Sequence, residues 1–202
     1  GIDMGIKSLL ATSDGTLVEN PRWLRRSLGA LRKVQRRLAR RKKGSNRRKK
    51  AAAQVARRHE KVHQQRLDFW HKQTRHLAAT YGLIALEQLP LHFMTHHRHL
   101  ALSAHDAGLG MFQQLLAYKV EETGSQLVEV NPQNTTQACS GCGVLVPKAL
   151  QVRVHHCFDC GLVLDRDMNA ARNILGLAFP YCFKGVIVPT STKPKPRLNK
   201  GL

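Results

Sequence analysis

Residues 2–18, IDMGIKSLLATSDGTLV, contain short apolar runs that predict strands joined by a turn at 13–15. Leucines at helical spacing follow from Leu24 to Leu38, and a break at 44–46, Gly-Ser-Asn, separates this helix from a second one between about 47 and 80. Two long helices joined by a short break predict an antiparallel hairpin after the first strands.

The rest of the chain alternates strands and helices. Apolar runs at 82–89, GLIALEQL, and 126–131, QLVEVN, predict strands, whereas 107–123 and 165–179 have helical spacing. The His-rich segment 91–106 is expected to be irregular. This order predicts a mixed α/β fold, although periodicity alone does not choose among such folds.

The net charge of +20 is concentrated in one segment. Between Arg22 and Arg75 the chain has 21 lysines and arginines against two acids, whereas the remainder has 12 basic and 11 acidic residues. Such a basic arm suits a polyanion, because each phosphate contact releases condensed counterions. The alternative is a solvated helical face, but such faces usually mix both signs. We expect nucleic-acid contacts from these residues: Arg25, Arg32, Arg36, Arg40, Lys43, Arg47, Arg48, Arg57, Arg66 and Arg153.

Four of the five cysteines form two C-x-x-C pairs, CSGCG at 139–143 and CFDCG at 157–161. Because the chain does not begin with a secretion signal, this pattern favours a metal over disulfides. Four thiolates at this spacing predict a zinc ribbon with the ligands Cys139, Cys142, Cys157 and Cys160. Four ligands leave no open position for a substrate, so the predicted role is structural, with nucleic-acid contact by Lys148 or Arg153 as an addition. His155 and His156 are interpreted as neighbours rather than ligands.

Acidic side chains are few outside the basic arm, which makes their positions informative. Asp3 lies in a predicted strand between glycines, and Glu87 ends a buried apolar run, where an acid is costly unless paired or bound to metal. Asp165 and Asp167 begin the last helix, where capping is the alternative role. Taken singly, each acid is as compatible with a turn, a strand end or a cap as with a metal site.

The motifs GIDMG (1–5), LIALEQL (83–89), the two cysteine pairs and DRDMNAARNIL (165–175) together resemble those of TnpB proteins. These are OrfB-type nucleases of bacterial insertion sequences, related to type V CRISPR effectors. The resemblance implies an RNase H-like, RuvC-like mixed sheet with the basic hairpin and the zinc ribbon as insertions. It also implies a catalytic triad of Asp3, Glu87 and Asp167 holding Mg²⁺, with Asp165 as the helix cap and Asn169 and Arg172 in support.

The implied activity is RNA-guided DNA endonuclease activity, in which a guide RNA encoded by the element pairs with the DNA target. Neither a membrane nor a small-molecule substrate is expected, and the implied location is the prokaryotic cytoplasm, at the nucleoid. The alternatives are a nucleic-acid-binding protein without enzymatic activity, such as an RNA-guided repressor or a transposon remnant, and a zinc-ribbon transcription factor. Two departures stand out: Gln88 replaces the aspartate usual after the catalytic Glu, and the recognition half that precedes Asp3 in the family is missing. We therefore expect a piece that is incomplete at its N-terminus.

The expected organisation has six segments. They are the first RuvC-like strands (1–20), the basic hairpin (21–80), the middle RuvC-like part (81–133), the zinc ribbon (134–163), the last RuvC-like helix (164–179) and a loose basic tail (180–202). The five histidines at 92–105 match no familiar ligand spacing and are expected in a flexible loop near the cleft. Cys182 has no partner and is expected to be a free thiol.

Overall fold

The structure is a computed structural model that describes residues 1–89, 91–149 and 151–178. Strands and helices alternate along these residues. The strands are β1 (Ile2–Met4), β2 (Ser8–Thr12), β3 (Leu17–Glu19), β4 (Leu83–Glu87), β5 (Gln126–Val130), β6 (Val154–His156) and β7 (Val163–Asp165). The helices are α1 (Trp23–Ala39), α2 (Asn46–Thr80), α3 (Leu91–His96), α4 (Ala101–Ala107), α5 (Leu109–Thr123) and α6 (Arg166–Ala178).

Five strands form one mixed sheet in the order β3-β2-β1-β4-β5. The neighbours β1 and β2, and β2 and β3, are antiparallel, whereas β1, β4 and β5 run parallel to one another. Parallel neighbours need crossover connections, and the helices α1–α2 and α3–α5 supply them. The predicted mixed α/β fold is confirmed.

Helices cover the two faces of this sheet, and the strand residues alternate between them. Ile84 and Leu86 of β4 join a core cluster with Trp70 of α2 and Phe112 of α5. Ala85, between them in sequence, joins a second cluster with Ile174 of α6, on the other face. The sheet therefore has an α2/α5 face and an α6 face.

The basic hairpin is fastened to the body by one buried carboxylate. Asp106 of α4 accepts hydrogen bonds from the backbone N–H groups of Leu24 (2.8 Å) and Arg25 (3.1 Å), in the first turn of α1. Its side chain also pairs with Arg66 of α2 at 3.5 Å. Arg22, which precedes α1, has a left-handed φ of 54°, and its side chain accepts no capping hydrogen bond. A residue distant in sequence thus caps the first helix and holds both helices of the hairpin.

The helix boundaries follow local signals where such signals exist. The predicted break holds: Gly44 has a φ of 81°, and Ser45 accepts a hydrogen bond from the Arg48 N–H at 3.2 Å to cap α2. The expectation that 91–106 is irregular is wrong, because it forms α3 and α4, and α4 is held by its buried residues Ala104, Asp106 and Ala107. The expected tail at 180–202 and Cys182 lie outside the described residues.

Hydropathy along the helices gives no membrane span. Within residues 1–89, 91–149 and 151–178, no helix combines the length and the apolar character that crossing a bilayer requires.

We predict that Asp106→Ala lowers the free energy of unfolding by roughly 3 kcal/mol, because the change removes a helix cap and leaves Arg66 unpaired in a mostly buried position. Urea denaturation measures the loss. The matched control is Asp68→Ala, which removes an exposed carboxylate of α2 that pairs with Lys72 one turn along that helix. For this control we expect a change in the free energy of unfolding below about 0.5 kcal/mol. Equal losses in the two variants contradict the fastening role of Asp106.

Candidate functional site

Strand alternation and strand pairing bring two acids together on the α6 face. Ile2 and Met4 of β1 belong to the core on the α2/α5 face, so Asp3 between them faces α6. On β4, Glu87 shares its face with Ala85, which packs against Ile174 of α6. Because β1 and β4 pair in parallel with Ile2 opposite Leu86, the next pair in register is Asp3 and Glu87.

The third acid reaches this face from the first turn of α6. The Asp167 side chain is 11% exposed. Asp165 caps the helix as expected, because its Oδ1 accepts hydrogen bonds from the N–H groups of Asp167 (2.8 Å) and Met168 (3.4 Å). Asp165 is therefore the capping residue and Asp167 is the buried one. Of the two roles considered for this pair of acids, Asp165 has that of the cap, which leaves Asp167 as the candidate for the metal site.

The pKa of Asp3 reflects its burial and its acidic neighbours. It is raised from 3.8 to about 7 by burial first, then by the negative charges of Asp167 and Glu87, against lowering by Arg166 and Arg153. Burial also raises the pKa of Glu87, which a hydrogen bond donated by the Thr135 hydroxyl at 3.1 Å partly offsets. Like charges held together in a poorly solvated place are the condition under which a divalent cation binds well.

Two arginines that contact Asp167 occupy part of this site. The Arg153 guanidinium lies 2.5 Å from Asp167 Oδ2, and Arg166 lies 3.2 Å from Oδ1. Arg153 was expected to contact nucleic acid, and Arg166 was not singled out from the sequence, although its position next to Asp167 was the available signal. Both positive charges compensate for the negative charge of Asp167.

Asn169 and Arg172 were expected to support the acids, and their contacts lie elsewhere. Asn169 is fully buried, accepts a hydrogen bond from the Ser140 N–H at 2.9 Å and donates one to the Ala138 carbonyl at 2.7 Å. Arg172 donates to the Ser13 carbonyl at 3.5 Å. Asn169 thus fastens α6 to the cysteine segment rather than touching the carboxylates.

The four cysteines of the C-x-x-C pairs gather at one point. Their sulfur atoms all lie within 4.8 Å of one another, and Cys139–Cys160 and Cys142–Cys157 are both 3.6 Å apart. Gly143 and Gly161, after each pair, have φ angles of 82° and 74°, which favour glycine. This cluster could hold a metal ion.

Among the described residues, the cysteines are the group of three or more His, Cys, Asp or Glu side chains gathered tightly enough to hold a metal ion as they stand. His155 and His156 do not belong to the cysteine cluster. His155 is fully buried beside Lys148, and His156 is exposed on β6.

The basic residues divide into exposed ones and ones engaged within the chain. Arg48 donates to the Leu38 and Arg41 carbonyls at 3.1 and 3.2 Å, at the end of α1. Arg66 and Arg153 pair with acids as described above. The exposed candidates are Arg25, Arg32, Arg36, Arg40, Lys43, Arg47 and Arg57. Of these, Arg25 also donates to Ser103 at 2.7 Å.

A mixed α/β protein with a partly buried acidic cluster and a cysteine module that could hold a metal ion is the class that this fold and site define. Residues 1–98 match the OrfB_IS605 family, described as "Probable transposase", and residues 110–174 match the TNB domain of Cas12f1-like proteins. A "Putative RNA-guided DNA endonuclease" of Streptomyces pristinaespiralis is 39% identical over 92% of this chain and 47% of its own length. A protein with the same description in Escherichia coli K12, InsQ, is 30% identical over 87% of this chain and 48% of its own length.

The solved structure of a Cas12f1-sgRNA-target DNA complex has a similar fold, with a TM-score of 0.59 and 21% identity over 86% of this chain and 48% of that one. The chain spans about half the length of the curated relatives it matches. It belongs to the TnpB-type (OrfB) family.

We predict that Asp3→Asn stabilises the folded chain, and more at pH 8 than at pH 5. Folding raises the Asp3 pKa from 3.8 to about 7, so the cost of its ionisation is absent below pH 3.8 and complete above pH 7. The shift corresponds to roughly 4 kcal/mol in all, and the gain is about 3 kcal/mol larger at pH 8 than at pH 5. Thermal denaturation without divalent ions at both pH values measures it.

The control for this prediction is Glu129→Gln on β5, at the edge of the same sheet, where residue 129 is exposed. We expect no pH-dependent gain from that change. If Asp3→Asn stabilises the folded chain equally at both pH values, the raised pKa assigned to Asp3 is wrong.

Proposed function

We propose that this chain is the catalytic half of a transposon-encoded, RNA-guided DNA endonuclease with an RNase H-like, RuvC-like core. The observation that carries the proposal is the meeting of Asp3, Glu87 and Asp167 on one face of the sheet. The sheet order β3-β2-β1-β4-β5, in which β2 alone is antiparallel to both of its neighbours, supports the RuvC-like core. The descriptions of the Streptomyces and E. coli relatives supply the reaction class.

In this proposal Asp3 and Asp167 hold Mg²⁺, and Glu87 completes the coordination. Carboxylate oxygens are the ligands that Mg²⁺ prefers. The chemistry supplied by bound Mg²⁺ is activation of a water and stabilisation of the leaving oxygen during phosphodiester hydrolysis.

The cysteine cluster is proposed to be a structural zinc site. Four sulfurs at about 2.3 Å from zinc in a tetrahedron are about 3.8 Å from one another, and two of the sulfur pairs are 3.6 Å apart. Four thiolates leave no position for a substrate. The module instead presents the Ala138 carbonyl and the Ser140 N–H to Asn169, so zinc would fix the helix that carries Asp167.

The exposed arginines and lysines of α1 and α2 are proposed to hold the phosphate backbones of guide RNA and DNA target. A helical surface of one charge recognises the shape and charge of a duplex rather than its sequence. The complex in which Cas12f1 was solved holds both kinds of nucleic acid. The segment boundaries expected from the sequence (1–20, 21–80, 81–133, 134–163, 164–179 and 180–202) stay a prediction.

We predict that Asp3→Ala, Glu87→Ala and Asp167→Ala each lower Mg²⁺-dependent DNA cleavage more than about 100-fold, because each removes an ion ligand. The assay uses the protein that contains this chain, its guide RNA and target DNA, with EDTA as the metal-free control. Guide RNA binding, measured in parallel, should stay within about twofold, since the acids repel phosphates rather than bind them. Asp68→Ala, an exposed acid of α2, is the matched variant that keeps full activity.

Cleavage that survives any of the three substitutions refutes the assignment of that acid. If the unaltered protein binds guide and target but does not cut with Mg²⁺, the chain is a nucleic-acid-binding protein without enzymatic activity.

The zinc assignment predicts one zinc per chain and its loss in Cys157→Ser. Cys157 is fully buried, so the loss of its thiolate should lower the melting temperature by more than about 3 °C, the shift that about 1 kcal/mol produces in a chain of this length. Metal analysis and thermal denaturation measure the two effects. The control Cys182→Ser changes the fifth cysteine of the sequence and should keep the zinc, whereas retention of zinc by Cys157→Ser contradicts the site.

A further inference from the structure

A group of aromatic rings lies directly after the strand that ends at Glu87. We call it the ring platform: His92, Phe93, His96 and His97, on α3 and the residue after it. The rings of His92 and His96 are stacked, with centroids 4.0 Å apart and planes 23° from parallel. Those of Phe93 and His97 lie 5.6 Å apart at 49°. Because residues four apart share a helix face, the rings form two adjacent columns.

The rings of the platform are exposed to solvent, and the helix that carries them packs against the core. Phe93 is 62% exposed, and His92 and His96 are also exposed. Beneath them, Leu91 packs against the main core cluster. The Ala101 N–H donates to the His97 carbonyl at 2.9 Å, which joins the platform to α4. Aromatic rings held in place but uncovered suit a flat apolar ligand.

Charge and position identify the kind of ligand. No acidic residue occurs between Glu87 and Asp106, and exposed Arg98 follows the platform. In sequence the platform begins five residues after Glu87, one of the acids proposed to cut a phosphodiester. A single-stranded nucleic acid is a polyanion whose unpaired bases expose flat faces. Stacking of these bases on aromatic rings tolerates any sequence, because every base has a π-face.

We propose that the ring platform stacks unpaired bases of the single strand that enters the acidic site. This inference rests on the proposed nuclease function, because that function makes a single strand pass the acids. Its test does not, because the test measures strand binding and not cleavage. The columns supply stacking surface, and Arg98 supplies attraction to the adjoining phosphates. A metal site on His92 and His96 is the competing use of these side chains. His96 Nδ1 already lies 2.8 Å from the His92 carbonyl oxygen, and the two rings are packed face to face.

The experiment measures binding of a fluorescent thymine oligonucleotide of about 12 nucleotides, and of an abasic oligonucleotide of the same length, with EDTA present. The variant that removes rings is His92→Ala/Phe93→Ala/His96→Ala. The variant that keeps rings is His92→Phe/His96→Phe, which cannot bind a metal. Tyr118→Ala, a partly exposed ring on α5, is the control outside the platform.

We expect the alanine variant to raise the Kd for the thymine strand at least about fivefold, since stacking contributes about 1 kcal/mol or more per base. Its Kd for the abasic strand should change less than about twofold, and the phenylalanine variant and Tyr118→Ala should keep both affinities within about twofold.

Equal weakening on thymine and abasic strands overturns the proposal in favour of a purely electrostatic role. Weakening by the phenylalanine variant equal to that of the alanine variant overturns it in favour of a role specific to imidazole. If the unaltered protein fails to cut DNA but shows base-dependent binding through the platform, the nuclease proposal fails and the platform stands.

Discussion

The parallel pairing of β1 with β4 is the constraint on which the site depends. It places Asp3 beside Glu87 on the face that α6 covers, and carboxylates placed together away from water repel one another. A fold selected for stability alone would avoid this pair. Several features of the α6 face compensate for it: the Thr135 hydroxyl donates to Glu87, and two guanidinium groups contact Asp167. Hydrogen-bond donors and positive charges thus surround the negative charge that the strand pairing brings together.

The position of Asp167 depends in turn on contacts far from the acids. Asn169 and Asn173 both donate to the Ala138 carbonyl at 2.7 Å, one turn apart on α6. Ala138 precedes Cys139, so the cysteine module and the helix are joined through the backbone of the first C-x-x-C pair. Arg153 lies between the two pairs and contacts Asp167 directly. The module therefore affects the acid site through position and charge, without contributing a ligand to it.

Features that depend on local sequence could be predicted, and features that depend on tertiary contacts could not. The break before α2, the cysteine cluster and the cap formed by Asp165 follow from glycine, spacing and helix-start signals, and all appear in the structure. The short helices α3 and α4 were missed, because their sequence lacks apolar periodicity and their stability comes from packing against the body. The role of Asp106 was also unpredictable, since its partners Leu24 and Arg25 are 82 and 81 residues away.

The nearness of Glu87 to the ring platform limits how a strand could lie in the cleft. Glu87 and His92 are five residues apart, a distance of at most about 17 Å for an extended chain. A straight, stacked single strand that rises about 3.4 Å per nucleotide spans this distance in about five nucleotides. Because β4 ends in the sheet and α3 rests on the core, neither end of this spacing can move freely. If a single strand stacks a base on His92 and places a phosphate at Glu87, the fold therefore sets the distance between the stacked base and the backbone bond that the acids would cut.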